Sequence, residues 1–130
     1  MAGHLKELRV TLEDRPGSLA KMADALGKAG VNIEAVSGLG GASPDVRILV
    51  EDTAKARTAL TGAGMTVSGE RDMTFVDLDD KPGSLAAATR KLGDQNINID
   101  AIYVVGAAGG KKQLAIGSAD ATKARAAVKS

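Results

Sequence analysis

One octapeptide comes back almost unchanged in this chain: Glu13-Asp14-Arg15-Pro16-Gly17-Ser18-Leu19-Ala20 returns as Asp79-Asp80-Lys81-Pro82-Gly83-Ser84-Leu85-Ala86. The offset of 66 residues extends beyond the motif and places Val10 on Val76, Leu12 on Leu78, Leu26 on Leu92 and Asn32 on Asn98. It widens to 68 where Asp52-Thr53-Ala54-Lys55-Ala56-Arg57 is echoed by Asp120-Ala121-Thr122-Lys123-Ala124-Arg125, so the second copy holds two extra loop residues around Gly106 to Lys112. A repeat of this length constrains the architecture before any local propensity does. The chain reads as two units, 1–71 and 72–130. Each is near the lower size limit for a domain, where only about 60% of the unfolded chain's surface is hidden. Pairing is the expected remedy, and a homodimer or larger homo-oligomer is the expected assembly.

Within each copy the same sequence of patterns recurs. Leu8, Val10 and Leu12 alternate with Arg9, Thr11 and Glu13, the period of a half-buried strand whose polar side faces water. Pro16 has a fixed φ and no N–H, which suits a first helical turn, so a helix is expected to open there. Leu19, Met22, Ala23 and Leu26 then form one apolar stripe, and Gly30 is placed to stop the helix. Val31–Val36 reads as a second strand and Val46–Val50 as a third, joined by a turn containing Gly38, Gly40, Gly41 and Pro44. Asp52 or Thr53 can cap a helix from Ala54 to Ala63, closed by Gly62 and Gly64. Met65–Gly69 completes the order βαββαβ.

The second copy repeats this with strands Met73–Asp79, Ile97–Val104 and Gln113–Gly117 and helices from Pro82 and Ala121, but it has no counterpart of the last strand. The expected fold class is therefore α+β: two tandem ferredoxin-like units, helices on one face of each antiparallel sheet. Crossover rules place the first and third strands in the middle of the sheet. In the second unit, strand Met73–Asp79 is left at an edge that something must cover, and Phe75 faces outward there beside Asp77 and Asp79.

Composition excludes several functions. Lys and Arg number 17 against 16 Asp and Glu, a field too weak to draw nucleic acid or lipid. With one Phe, one Tyr and no Trp, there is no aromatic platform for stacked bases. No cysteine is present and the single histidine, His4, lies in the N-terminal tail. That removes disulfides, thiolate chemistry and the commonest general base, so no enzyme activity, metal site or cofactor is expected. No apolar run is long enough to span a membrane, and no secretory signal opens the chain, which points to a cytoplasmic protein. Gly106-Ala107-Ala108-Gly109-Gly110-Lys111-Lys112 lacks the spacing of a phosphate loop and lies between strands. Lys55, Arg57, Lys123 and Arg125 read as solvent-facing.

The repeated octapeptide has a definite chemical use. The first amides of a helix have no internal partner and sit at the positive end of its dipole, ready for a carboxylate. Gly17 and Gly83 lack a Cβ and let a ligand or backbone approach. Asp14 and Asp80 can face an ammonium group, and Asn32 and Asn98 offer both donor and acceptor to a zwitterion. The same residues also suit a purely structural reading: Asp as helix cap, Pro-Gly as turn punctuation, Asn bonded to its own backbone.

Asp14-Arg15-Pro16-Gly17-Ser18-Leu19-Ala20 followed by Ala29-Gly30-Val31-Asn32-Ile33, and again Lys81-Pro82-Gly83-Ser84-Leu85 with Asn98-Ile99-Asp100, resembles the ACT domain, a regulatory module that binds small molecules, mostly amino acids. The two copies cover nearly the whole chain, which is similar to small stand-alone proteins of two such domains. The resemblance implies a ligand at the interface of paired domains, held by the strand-to-helix loop of one and polar residues of the other. By position those roles fall on the loop Asp14, Arg15, Gly17 and Ser18 with Asn32, and on Asp80, Lys81, Gly83 and Ser84 with Asn98. Some relatives have Asn where this chain has Asp14. A carboxylate there suits an ammonium and repels a ligand carboxylate. The function implied is a regulatory amino-acid-binding module, with a regulated enzyme as partner. The alternative is a protein-interaction module whose ligand site is vestigial.

Overall fold

The computed structural model describes residues 5–38 and 45–129. They divide into two compact units, with the division between Arg71 and Asp72.

In the first unit the order is β1 (Lys6–Thr11), α1 (Ser18–Lys28), β2 (Ala35–Gly38), β3 (Asp45–Val50), α2 (Thr53–Gly62) and β4 (Thr66–Asp72). The four-stranded sheet runs β2-β3-β1-β4, with the first and third strands central as the crossover rules require. Antiparallel pairing sets Leu8 opposite Ile48 and Val10 opposite Val46. Because side chains alternate across a strand, Leu8, Val10, Ile48 and Val50 share one face. There they pack with Met22 and Leu26 of α1 and Ala56 and Leu60 of α2, all fully buried. Each large side chain in this cluster is worth roughly 1.5–3 kcal/mol of burial, which is why both helices settle on the same face.

The opposite face of that sheet is less wet than alternation alone implies. Glu7 is 2% exposed and its Oε1 accepts from Arg71 Nε at 2.7 Å and from Arg47 Nη1 at 3.5 Å. Arg9, expected in water, is half-buried with its Nε lacking a hydrogen-bond partner. Arg57, whose side chain is 43% exposed as expected of a solvent-facing residue, also donates to Glu70 at 2.8 Å and so ties α2 to β4.

The second unit comprises β5 (Thr74–Asp79), α3 (Ser84–Asp94), β6 (Ala101–Ala108), β7 (Lys111–Gly117) and α4 (Ala121–Lys129). Its sheet has three strands in the order β5-β7-β6, so the equivalent of the central β1 is an outer strand here. Leu92, Ile116, Ala124 and Ala127 form its core. Phe75 is half-buried. Arg125, which occupies the repeat position of Arg57, has no Glu70 counterpart and donates to the Met73 carbonyl at 3.1 Å.

Four boundaries differ from expectation for local reasons. Both first helices begin after the Pro-Gly pair, at Ser18 and Ser84, because Gly17 and Gly83 hold φ of +89° and a helix cannot include a left-handed residue. The second strand starts at Ala35, since Val31 N–H donates to the Leu26 carbonyl at the helix end instead of to the sheet; Ile97 does the same with Leu92, delaying β6 to Ala101. The glycine run 106–112 is mostly strand: Gly109 and Gly110, at φ +60° and +75°, make a two-residue hairpin, and β6 and β7 pair up to it. β4 runs on to Asp72, leaving only Met73 between it and β5. The expected turn residues Gly40, Gly41 and Pro44, and His4, lie outside the described residues.

Candidate functional site

Each strand-to-helix loop is built the same way. After β1, Arg15 N–H donates to Glu13 C=O at 2.9 Å, Ser18 N–H to Arg15 C=O at 3.3 Å, and the helix closes from Lys21 N–H to Gly17 C=O at 3.0 Å. After β5 the same three bonds join Lys81 to Asp79, Ser84 to Lys81 and Ala87 to Gly83, at 2.9, 3.3 and 3.0 Å. The N-cap positions of α1 and α3 are Gly17 and Gly83, which have no side chain to cap with. Asp14 and Asp80 therefore stand outside the N-cap positions. By contrast Asp52 and Asp120 accept from Lys55 N–H and Lys123 N–H, each at 3.0 Å, at the starts of α2 and α4.

The glycines are required by conformation, not by crowding. No atom lies within 4 Å of where a Cβ at Gly17 or Gly83 would stand, yet both sit at φ +89°. The space beside them is open to a ligand, and no neighbouring backbone takes it.

Beside each loop lies a cavity between the end of the first strand and the first turns of the helix. In the first unit it measures about 440 Å³, with Thr11, Glu13, Arg15, Ser18 and Lys21 among its lining and Gly64–Thr66 on its far side. In the second unit it is about 320 Å³, lined among others by Asp77, Asp79, Ser84, Lys91 and Lys111. Both are within the range that takes a small metabolite. Of the residues singled out in the sequence, Arg15, Ser18 and Ser84 line these cavities. Asp14, Gly17, Asp80, Lys81 and Gly83 are in the loops without lining them. Asn32 and Asn98 are exposed and outside both cavities. The Asn32 amide donates to Glu34 Oε1 at 2.8 Å. Lys21 and Lys91 were not singled out, although each falls on the helical face that follows Ser18 or Ser84 and could have been found by that spacing.

Charges in the loops are paired. Arg15 meets Glu13 at 2.8 Å. In the second loop Lys111 Nζ lies 2.7 Å from Asp79 and Lys112 Nζ 3.1 Å from Asp80. The Lys111 hydrogen bond, then the charges of Lys111 and Lys81, hold the Asp79 carboxyl below its ordinary range, and Asp79 in turn raises Lys111. Among the described residues no group of three or more His, Cys, Asp and Glu is placed to hold a metal ion, and no helix is long and apolar enough to cross a membrane.

The family model of the ACT domain matches residues 6–60, most of the first unit. A solved protein of Bacteroides thetaiotaomicron is similar over both units, at 24% identity and a TM-score of 0.85, covering 99% of this chain and 90% of that one. The chain has a tandem ACT-domain fold. The regulatory subunit of aspartate kinase from Thermus thermophilus, in a ligand-free form, is similar in fold at 23% identity and TM-score 0.69, covering 99% of this chain and 92% of that one. Its counterpart from Thermus flavus is similar at 21% and 0.65, covering 97% and 91%. No curated protein matches the sequence significantly. ACT domains are regulatory modules for small molecules, often amino acids, and not catalytic ones.

Proposed function

We propose that this tandem ACT chain binds a small amino acid at its strand-to-helix loops, where a loop meets a paired ACT domain, and through it regulates an enzyme in the cytoplasm. The observation that carries this reading is the pair of helix starts at left-handed glycines, whose N-cap positions carry no side chain and have open space beside them. A ligand carboxylate would take amides at the start of α1 or α3, its ammonium would face Asp14 or Asp80, and Arg15, Ser18 and Asn32, or Lys81, Ser84 and Asn98, would fix its orientation. For Asn32 this means exchanging its bond to Glu34 for one to the ligand. The likeness to proteins named as regulatory subunits of aspartate kinase supports an enzyme as the regulated partner.

Regulation needs the ligand to prefer one arrangement of the assembly, since equal affinity for two states moves neither. A tenfold preference supplies about 1.4 kcal/mol, enough to retune a balanced interface. Calorimetric titration with each standard amino acid should find one that binds more tightly than about 1 mM. Asn32→Ala with Asn98→Ala should weaken it by roughly 1–3 kcal/mol. Absence of any binding would favour the interaction-module reading, and unchanged affinity in the double variant would move the site away from these asparagines.

A further inference from the structure

The two copies differ in sequence beside the repeated loop. The second copy has two extra residues in the segment that leads into β7, and the repeat positions of Lys111 and Lys112 are the uncharged Ser43 and Pro44. Pairing of β5 with β7 sets Lys111 directly across from Asp79. The Gly110 carbonyl accepts from Asp80 N–H at 2.8 Å, which fixes the hairpin against the loop backbone. From that anchor Lys112 places its ammonium 3.1 Å from Asp80 Oδ1.

We infer that Lys112 is a built-in stand-in for a ligand's ammonium at Asp80, so that the second loop is partly self-occupied. This rests on the amino-acid reading above. Asp80 is the group assigned to the ammonium in the second loop, and a primary ammonium of the same charge and donor count already sits on it. A tethered group competes at an effective concentration set by its tether, in the millimolar range for a short one. A free amino acid must displace it before it can bind. Lys111 adds to the effect by holding the adjacent Asp79 at 2.7 Å, which keeps the hairpin end close to the loop.

The test follows the backbone amide resonances of Gly17 and Gly83 while each standard amino acid is titrated into the wild-type chain, Lys112→Gln and Lys112→Arg. For an amino acid that binds, Lys112→Gln should tighten the response at Gly83 by roughly fivefold, the upper end of what an exposed ion pair is worth. The response at Gly17 should not change, and Lys112→Arg should behave as wild type. An unchanged Gly83 response in Lys112→Gln, or a tightened one in Lys112→Arg, overturns the inference. If the wild-type chain responds at neither glycine, the amino-acid reading of the wild-type protein fails; a Gly83 response gained in Lys112→Gln alone still supports the stand-in. No response in any of the three overturns both.

Discussion

Gly17 and Gly27 lie ten residues apart and should answer the same substitution with opposite signs. Gly17 stands at φ +89°, where any L-residue is strained by about 1–2 kcal/mol, whereas Gly27 sits inside α1 with nothing within 4 Å of a Cβ. Gly17→Ala should lower stability to denaturant by that amount. Gly27→Ala should raise it by roughly 0.5–1 kcal/mol through helix propensity and a less flexible unfolded chain. The second copy shows the same backbone demand met otherwise: Asn96, at φ +59°, occupies the repeat position of Gly30, since Asn tolerates the left-handed region. Thr74 holds the repeat position of Leu8 and is 1% exposed with its hydroxyl unbonded. Thr74→Val should stabilise the second unit by about 1 kcal/mol, read as a higher denaturation midpoint; a loss would mean that the hydroxyl has a partner in solution. The glycines of the motif were legible in the sequence as glycines. Their reason was not, because whether a missing Cβ serves a contact or a dihedral depends on neighbours that only the folded chain supplies.

At the scale of elements, periodicity located every strand and helix, and strand order followed from handedness. Boundaries were less legible because they turn on single hydrogen bonds. Val31 could pair in the sheet or with the Leu26 carbonyl, and nothing in its side chain decides between them. The ties between α2 and β4 were equally hidden, since Arg57 and Glu70 are 13 residues apart and look like surface charges. Glu70 nevertheless accepts from Arg57 at 2.8 Å and Thr53 at 3.2 Å, with Lys6 4.0 Å away. The Arg57 hydrogen bond lowers its pKa below the ordinary 4.5, against an opposing desolvation, with Thr53 and the charges of Arg57 and Lys6 adding to the drop. A carboxyl depressed on folding contributes stability that is present above the unfolded pKa and lost as pH falls through the folded one. The first unit should therefore lose stability below about pH 4.5 in part through this group. Glu70→Gln should flatten that portion of the acid limb, by at most ~1 kcal/mol for so accessible a cluster. An identical acid limb in the variant would assign the loss to other carboxylates.

Across the whole molecule, the large apolar side chains left exposed fall at repeated positions. Leu19 and Leu85 match in the first turns of α1 and α3, and Val36 and Ile102 match on β2 and β6, each an outer strand of its sheet, with Val104 beside Ile102. They are 45–59% exposed. A duplicated fold need not duplicate an apolar surface, because surface positions drift freely unless something packs on them. Outer strands also carry unpaired backbone groups on one side, and β5 joins them because the second sheet has no fourth strand. Helix turn and strand edge together offer a chain both apolar area and a hydrogen-bonding ladder, the two ingredients of edge-to-edge association between copies. We therefore expect a homodimer or larger, and sedimentation at micromolar concentration should give a mass above the 13.2 kDa of one chain. Val36→Glu with Ile102→Glu should shift the equilibrium toward monomer, since each places a charge where roughly 1–2 kcal/mol of apolar burial would otherwise be gained. Helix content by circular dichroism should stay unchanged, because neither side chain belongs to a core cluster. A wild-type chain that sediments at the mass of one chain would defeat this expectation. A double variant that remains assembled would place the interface away from β2 and β6.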